Sequence, residues 1–425
     1  MRVLFVSRLL PNPNGSGAER RASQHLATLK RLGAVTLVVV QQWEMPTPIL
    51  QAELTALGLE RLVIRNIRDE PTRYERRLKR WLESKNRLLW IWNHLWLTHI
   101  CDLRPLSQDV ERRRREIGGG FDLLLAFRMP SAIWIDSVLS SADRPPVCIL
   151  DFDDIESIAY ARMERQRTGR HPAVVVQNWY FARWLARMEG VLARRWTRLV
   201  VCSGHDQDLI RRRLGVTPLV VPNSVRFPAR AAQAPPGRVE LLFVGHLRYP
   251  PNVQGACWLV YQVWPAVRDA LGERARLTIA GMDPCQEVLD LGRVPGVAVL
   301  ASVADLGPLY ERATIALAPI FSGGGTRIKI IEAMAHTRAI VATSLGCEGL
   351  AVTTRREVLM ADTPQAFLAA VLEMARDPEW RRMLAENAWD FGRRRYSHEV
   401  VVEEFATAIR DLLPEGEEAD QGFAR

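Results

Sequence analysis

The sequence predicts an α/β protein of two doubly wound halves, each a parallel sheet covered by helices. Short, continuously apolar runs such as 34–40 and 239–244 alternate with helical segments, which is typical of strands buried on both faces. Several of these runs end in turns that contain glycine. The Ala- and Pro-rich stretch 227–238 reads as a linker, and 425 residues exceed what one core usually holds.

The composition is that of a folded protein, with 48% hydrophobic and 25% charged residues. Its six cysteines include no C-x-x-C pair, which favours buried thiols in a reducing compartment over a disulfide or zinc framework. The first apolar run, 2–7, is too short for a signal peptide, and no run reaches the ~20 apolar residues of a membrane span. We therefore expect a cytoplasmic protein, and we expect neither a metal nor a bound cofactor.

The formal net charge of +9 permits contact with nucleic acid or with an anionic membrane. Basic residues concentrate in 72–116, where they interleave with one tyrosine and several tryptophans. This pattern predicts one or two helices that suit an anionic membrane surface, here the inner face of the plasma membrane. The alternative is a solvated arginine face over a tryptophan-rich core contact. Nucleic acid is not expected, because no recognised binding motif accompanies the charge.

The first half begins with a β-α-β unit formed by a strand at 2–7, a helix at 18–32 and a strand at 34–40. The turn Gly15-Ser16-Gly17 follows the first strand, at the sheet edge where open α/β folds bind ligands. These three residues are therefore candidates for contact with a ligand. A plain connection between strand and helix is the alternative.

Two further strands of the first half end in charged residues. The strand at 121–127 ends at Arg128, and the strand at 147–150 runs into the acidic segment 151–156. Asp151 lies at the strand end and is the better functional candidate. Asp153 and Asp154 fit the alternative of N-caps for the following helix. A helix at 173–196, a strand at 199–202, a helix from 203 and an apolar run at 219–223 complete this half.

The second half repeats the pattern. Its predicted strands are 239–244, 276–280, 297–300, 315–320 and 339–343, and its predicted helices include 305–312 and a last one near 399–413.

The most informative stretch is 322–335, which reads as a glycine-rich turn between a buried strand and a helix that begins near Thr326. Free N–H groups and the helix dipole attract anions at such a position. Arg327 and Lys329 oppose that dipole, which suggests that they serve an anionic ligand such as a phosphate. Glu332 lies too far along the helix to be a cap, and it needs a partner on so apolar a helix. A flexible loop before an ordinary surface helix is the alternative.

The stretch 323–335 resembles the GT-B glycosyltransferases of the GT4 family, and segments 151–156, 222–223 and 243–252 resemble a bacterial branch linked to exopolysaccharide synthesis. The resemblance implies a retaining transfer of sugar from a nucleotide-diphosphate-sugar donor, usually without a metal. The acceptor would be a glycan or a lipid-linked molecule. The domains it implies are an acceptor-side Rossmann-like domain at 1–226 with an insertion near 72–116, a donor-binding one at 239–397, and a helix at 398–413 that packs back on the first.

The resemblance also assigns residues within the glycine-rich stretch. Glu332 matches the second glutamate of the E-x7-E motif, which binds the donor ribose hydroxyls. Gly324 stands where the first glutamate would fall, so its role toward the sugar passes to main-chain groups or to another residue. Arg327 and Lys329 lie where the diphosphate binds, beside the backbone of 323–326.

The remaining assignments rest on the same resemblance. Its other donor-binding residues are Gly245, His246, Arg248, Asn252, Gly323, Gly325, Thr326, Gly346, Glu348 and Gly349. Arg128 stands on the acceptor side, where many relatives carry a histidine. Two other functions fit the sequence. The first is a non-catalytic nucleotide-sugar-binding subunit, which is favoured by the glycine at 324 in place of the first glutamate. The second is a sugar-nucleotide epimerase.

Overall fold

The structure is a computed structural model, and it describes residues 1–41, 57–59, 61–66, 114–165, 172–228, 237–303, 305–324 and 327–413. Most of the basic segment 72–116 therefore lies outside the described residues, as do Gly325 and Thr326.

The described strands form two all-parallel sheets. The first has seven strands in the order β3-β2-β1-β4-β5-β6-β7, and the second has six in the order β10-β9-β8-β11-β12-β13. The non-consecutive neighbours mark helical crossovers, so both predicted doubly wound halves are confirmed. The strands are β1 Arg2–Ser7, β2 Ala34–Gln41, β3 Arg61–Asn66, β4 Leu123–Phe127, β5 Val147–Asp151, β6 Arg198–Val201, β7 Leu219–Val220, β8 Val239–Val244, β9 Ala275–Gly281, β10 Val297–Ala301, β11 Ile315–Ala318, β12 Ala339–Ala342 and β13 Leu359–Met360.

Helices connect and flank these strands. They are α1 Gly17–Lys30, α2 Met129–Val138, α3 Glu156–Arg165, α4 Pro172–Arg195, α5 Gly204–Leu214, α6 Pro250–Trp258, α7 Trp264–Leu271, α8 Gln286–Asp290, α9 Gly307–Arg312, α10 Ile328–Ala335, α11 Pro364–Arg376, α12 Pro378–Tyr396 and α13 His398–Arg410.

The chain divides into two compact units, of which the first comprises 1–152, 191–200 and the chain from 402 onward. Strands β4 and β5 are buried along their whole length, because both faces of a parallel sheet are covered. The capping box formed by Ser16 and Glu19 starts α1, one residue earlier than predicted. Helix α13 supplies Phe405, whose ring lies 5.5 Å from the His25 ring.

The second unit comprises 153–190 and 201–401. Its six-stranded sheet separates two apolar clusters, one around Phe243, Trp264 and Phe367, the other around Ile331 and Met334 of α10. Because α10 is buried on this side, its first turn is held firmly against the sheet.

Three local features differ from the prediction. Strands β3 and β13 have no counterpart among the predicted strands; β3 is partly polar, and β13 has only two residues. Helix α3 begins at Glu156, so neither Asp153 nor Asp154 occupies its cap position. Asp153 instead has a φ of 60°, a left-handed conformation that turns the chain after β5.

No helix within the described residues is long and apolar enough to cross a membrane. The five cysteines that the structure describes are all free thiols; Cys148, Cys202 and Cys347 are buried and the other two are half-buried.

Candidate active site

The glycine loop, residues 319–327, connects β11 at the centre of the second sheet to α10. The Thr343 hydroxyl pins its start, donating to the Ile320 carbonyl at 2.5 Å and accepting from the Ile320 amide at 3.0 Å. Gly323 has a φ of 95°, and a Cβ there would lie 3.0 Å from the Tyr249 hydroxyl. Glycine is therefore favoured at this turn by its conformation, and the Tyr249 hydroxyl would have to shift to admit a side chain.

Lys329, in the first turn of α10, points its ammonium at the end of β8. Its Nζ donates to Asn252 Oδ1 at 2.8 Å and lies 4.3 Å from the centre of the Phe243 ring. Burial, with a smaller contribution from the neighbouring Arg327 charge, lowers the pKa of Lys329 to about 7, and the Glu332 charge opposes this shift. A bound anionic ligand, added to the charge of Glu332, would therefore stabilise the charged form of Lys329.

Glycines at the ends of β8 and β9 leave room for neighbouring atoms. A Cβ on Gly245 would lie 2.8 Å from Asn252 Nδ2 and 3.1 Å from Lys329 Nζ. A Cβ on Gly281 would lie 1.7 Å from the Gly245 carbonyl oxygen, which is far inside contact distance. The end of β9 therefore approaches the Gly245 backbone closely because Gly281 lacks a side chain, and the absence of a side chain on Gly245 leaves room for Asn252 and Lys329.

Arg327 precedes the first residue of α10. It donates to the Gly324 carbonyl, and its Nε is buried without a hydrogen-bond partner among the described residues. Burial lowers the pKa of the Arg327 guanidinium, and the charge of Asp154 opposes this shift. Two cations at a helix N-terminus are repelled by the partial positive charge of the helix dipole, and a bound anion would offset this repulsion.

Glu332 lies one turn beyond Lys329 and is half-buried. It accepts a hydrogen bond from the Tyr310 hydroxyl at 3.2 Å, and the Tyr310 ring stacks on His336 with 4.8 Å between ring centres. Glu332 was expected to need a partner because α10 is so apolar, and the structure provides the Tyr310 hydroxyl of α9 as one. The sequence carried no signal that would single out Tyr310.

The loop 346–349 lies beside the glycine loop. Glu348 accepts two hydrogen bonds from Arg162 of α3, at 2.5 and 3.1 Å, and its Oε2 is 3.6 Å from His205 Nε2. Arg162 also lies 3.5 Å from the Gly323 carbonyl oxygen, so it links the two loops. A Cβ on Gly346 would lie 2.8 Å from the Ala318 carbonyl oxygen, so this turn also needs glycine.

Two other predicted donor residues lie at the surface. His246 is exposed, and its carbonyl accepts from Asn252 Nδ2 at 3.0 Å. Arg248 is exposed and forms a bidentate ion pair with Asp283, at 2.7 and 2.9 Å. Their contact with a donor stays a prediction, as does that of Gly349, whose φ is 83°.

The predicted acceptor-side residues lie in the first unit. Asp151 is fully buried and bonds Arg21 Nε at 2.6 Å and His25 Nε2. Burial alone would raise its pKa, but the Arg21 and His25 charges hold the pKa of Asp151 well below its usual range. Arg128, whose φ is 68°, precedes α2, and its amide donates to the Asp151 carbonyl at 2.8 Å.

The turn before α1 holds the other acceptor-side residues. Ser16 is the N-cap of α1, Gly17 is its first residue, and the Gly15 carbonyl accepts from Arg20 Nε at 2.9 Å. All these contacts are internal to the first unit, and binding of an acceptor here stays a prediction. Within the part of the chain that the structure describes, no group of three or more His, Cys, Asp or Glu side chains is arranged to hold a metal ion.

Parts of the chain are similar in sequence to known proteins. Residues 238–377 match the family model of Glycosyl transferases group 1. A Klebsiella pneumoniae protein, "Uncharacterized 44.6 kDa protein in cps region", is 26% identical over 170 residues. That match covers 38% of this chain and 44% of the Klebsiella protein, so it spans less than half of that relative's length.

Similar solved structures cover nearly the whole chain. Sucrose-phosphate synthase from Thermosynechococcus elongatus has a TM-score of 0.67 at 14% identity, covering 97% of this chain and 99% of that one. HepE from Anabaena, in complex with UDP and glucose, has a TM-score of 0.63 at 13% identity, covering 96% and 99%. The chain therefore has the GT-B fold, and its residues 238–377, which include the Lys329 site, match the glycosyl transferases group 1 family.

Proposed function

We propose that this protein is a retaining glycosyltransferase of the GT4 type that moves a sugar from a nucleotide-diphosphate-sugar donor to a glycan or lipid-linked acceptor. The observation that carries the proposal is the first turn of α10, where two cationic residues, Arg327 and Lys329, stand at a helix N-terminus. A departing diphosphate gains negative charge in the transition state, so cations fixed here stabilise that state more than the ground state.

The rest of the site fits the same donor. The Glu332 carboxylate, oriented by the Tyr310 hydroxyl, accepts hydrogen bonds from adjacent ribose hydroxyls. The matched family region contains both residues, and the solved structure of HepE is a complex with UDP and glucose. The donor role of 239–397 and the acceptor role of 1–226 are part of this proposal. No metal is required in it, since two side-chain cations face the diphosphate.

The pathway and location belong to the proposal as well. The Klebsiella relative is named for a cps region, which supports a role in the synthesis of surface polysaccharide or glycoconjugate. We place the protein in the cytoplasm, peripherally at the inner face of the plasma membrane. If 72–116 makes this contact, its deletion abolishes co-sedimentation with vesicles that contain phosphatidylglycerol. Unchanged sedimentation of the deletion variant would contradict the membrane proposal.

The test of function starts with a thermal-shift screen against UDP-, GDP-, ADP- and dTDP-linked sugars, because a ligand that binds only the folded state raises Tm. Turnover of the donor that binds is then compared in the wild type, Lys329→Ala and Glu332→Ala. We expect both variants to remain folded and to lose transfer. Unchanged turnover in both would contradict the site assignment.

A non-catalytic nucleotide-sugar-binding subunit is the second candidate, and the glycine at 324 is the observation that favours it. Nucleotide binding without turnover across a panel of donors and acceptors would support it. An epimerase would convert the donor without any acceptor, and analysis of the products separates that case.

A further inference from the structure

Arg338 is a buried arginine between the ends of α9 and α10, with 3% of its surface exposed. Its Nε donates to the His336 carbonyl at 2.8 Å, and its Nη1 donates to the carbonyls of Ala313 and Glu311 at 3.1 and 3.4 Å. His336 is the C-cap of α10 and Ala313 is the C-cap of α9. Carbonyls at a helix C-terminus lack intrahelical donors and carry the negative end of the dipole, so a buried cation is stabilised there. One guanidinium therefore joins the ends of both helices.

The chain turns sharply at the end of α10 and so brings Arg338 into this position. The Thr337 amide donates to the Met334 carbonyl at 2.9 Å, and the Arg338 amide donates to the Ala333 carbonyl at 2.9 Å. These two bonds form a Schellman motif, whose left-handed residue is usually glycine. Here that residue is Thr337, with a φ of 55°, and a β-branched side chain in this conformation persists only where surrounding contacts hold it. The Arg338 guanidinium, bonded to the His336 carbonyl on the other side of Thr337, is one such contact.

The same contacts hold Tyr310 of α9 in place. Its ring stacks on the His336 ring, with 4.8 Å between the ring centres and 6° between the planes. Arg338 binds the backbone of His336 and the backbone that directly follows Tyr310, so it holds both members of the stack. Helix α9 has only six residues, too few for a helix that is stable alone, so its position depends on such tertiary contacts. Because the Tyr310 hydroxyl donates to Glu332 at 3.2 Å, Arg338 reaches the Glu332 carboxylate through Tyr310.

We propose that Arg338 is a positioning residue for the donor. By fixing the end of α9 against the end of α10, it holds the Tyr310 hydroxyl on the Glu332 carboxylate that binds the ribose. The inference rests on the proposed function, because the ligand of Glu332 is taken to be the donor ribose. In this role Arg338 does not contact the donor, and its loss changes only the part of the affinity that the ribose hydroxyls contribute.

A purely structural role for Arg338 makes a different prediction. If the guanidinium only stabilises the fold, its loss lowers Tm and leaves the contribution of the ribose hydroxyls to the affinity unchanged. If it positions Tyr310, its loss weakens the binding of a nucleotide that carries those hydroxyls and spares one that lacks them. The ratio of the two affinities separates these roles. Because both affinities are measured on one preparation, an unfolded fraction does not affect the ratio.

The experiment measures the binding of UDP, GDP, ADP and dTDP by calorimetry, each compared with its 2′,3′-dideoxy form. The variants are Arg338→Lys, which keeps the charge but not the planar fork of donors, Tyr310→Phe, which removes only the hydroxyl, and the double variant. Arg381→Lys is the matched control. Arg381 donates to the Met374 carbonyl at 2.8 Å, in the last turn of α11, which carries no residue of the candidate site. Burial lowers the pKa of both arginines, so the two substitutions are made in similar surroundings.

We expect the wild type to bind the best of the four diphosphates more tightly than its dideoxy form. Arg338→Lys and Tyr310→Phe should each weaken the binding of that diphosphate by about threefold or more, the scale of one hydrogen bond, while the affinity for the dideoxy form changes less than about twofold. The double variant should lose no more than the larger single loss, because both substitutions act through one contact. Arg381→Lys should match the wild type.

Three results overturn the inference and leave the proposed function intact. They are a single variant that loses both ligands equally or neither, losses that multiply in the double variant, and a loss in Arg381→Lys as large as that in Arg338→Lys. A wild type that does not distinguish the diphosphate from its dideoxy form overturns the ribose contact, and the inference with it. A wild type that binds none of the four diphosphates, and none of the nucleotide sugars in the thermal-shift screen, overturns the proposed function as well.

Discussion

The pKa of Lys329 makes the donor site sensitive to pH in a way that can be worked out from the structure. In the free protein, burial lowers this pKa to about 7 from an ordinary 10.5. A bound diphosphate stabilises the ammonium and raises the pKa again, so donor binding takes up a proton above pH 7. About half of the Lys329 side chains are charged at pH 7 and about 3% at pH 8.5, which predicts a roughly fifteenfold loss of donor affinity over this interval.

The assay is calorimetric titration with a nucleotide sugar, whose diphosphate diester does not titrate in this range, in two buffers of different ionisation enthalpy. We expect uptake of nearly one proton per donor bound at pH 8.5. In Lys329→Gln the affinity at pH 7 falls about tenfold or more, and the proton uptake disappears. A wild-type affinity that stays constant between pH 7 and 8.5, or a Gln variant with the wild-type slope, would refute the reasoning.

The same pKa fixes the sign of a stability effect in the ligand-free protein. Between about pH 7 and 10.5 the unfolded chain holds the Lys329 proton while the folded chain has released it. The unfolded state then binds more protons, so the contribution of Lys329 to the free energy of unfolding rises with pH across this window. Urea denaturation of the wild type and Lys329→Gln at several pH values isolates the contribution. A difference between them that does not change with pH would contradict it.

Three further predictions concern neighbouring residues. Glu332→Gln should weaken the binding of a free nucleoside diphosphate and of its sugar-linked form equally, by about tenfold, because both ligands carry the ribose. If calorimetry shows a loss of affinity for the sugar-linked form alone, the ribose contact is contradicted. Gly281→Ala should cost about 2 kcal/mol or more in urea denaturation, since its Cβ would lie 1.7 Å from the Gly245 carbonyl oxygen, whereas Gly204→Ala, with open space around its Cβ, should be neutral. Arg162→Lys should weaken donor binding about threefold or more in the same titration, because lysine cannot replace the bidentate contact that aligns the two loops, and an unchanged affinity would count against that role.

The fold could be predicted from the sequence because the patterns that mark strands and helices are local in the chain. Continuously apolar runs gave the positions of most strands within one or two residues, and β8 matched at both ends. β3 and β13 lacked a counterpart because their short or partly polar sequences do not resemble buried strands. The glycines at 281 and 346 allow a close approach of the backbone, and Gly245 leaves room for two side chains, but only the structure identifies the atoms that approach them.

The candidate site could be predicted from the sequence only in part. The cations at 327 and 329 could be recognised because they stand on the wrong end of a helix for its dipole. Their partners could not, since side chains far apart in sequence meet only through the tertiary fold. Arg162 and Glu348 are separated by 186 positions, and Arg21 and Asp151 by 130.

The central claim is that the first turn of α10 holds the diphosphate of a nucleotide sugar. A crystal structure of the protein with the donor selected by the thermal-shift screen tests it most directly. We predict that the diphosphate oxygens lie within hydrogen-bond distance of Lys329 Nζ and the Arg327 guanidinium, with the ribose hydroxyls on Glu332. A donor bound elsewhere, or one bound here with neither cation on its diphosphate, would contradict the claim.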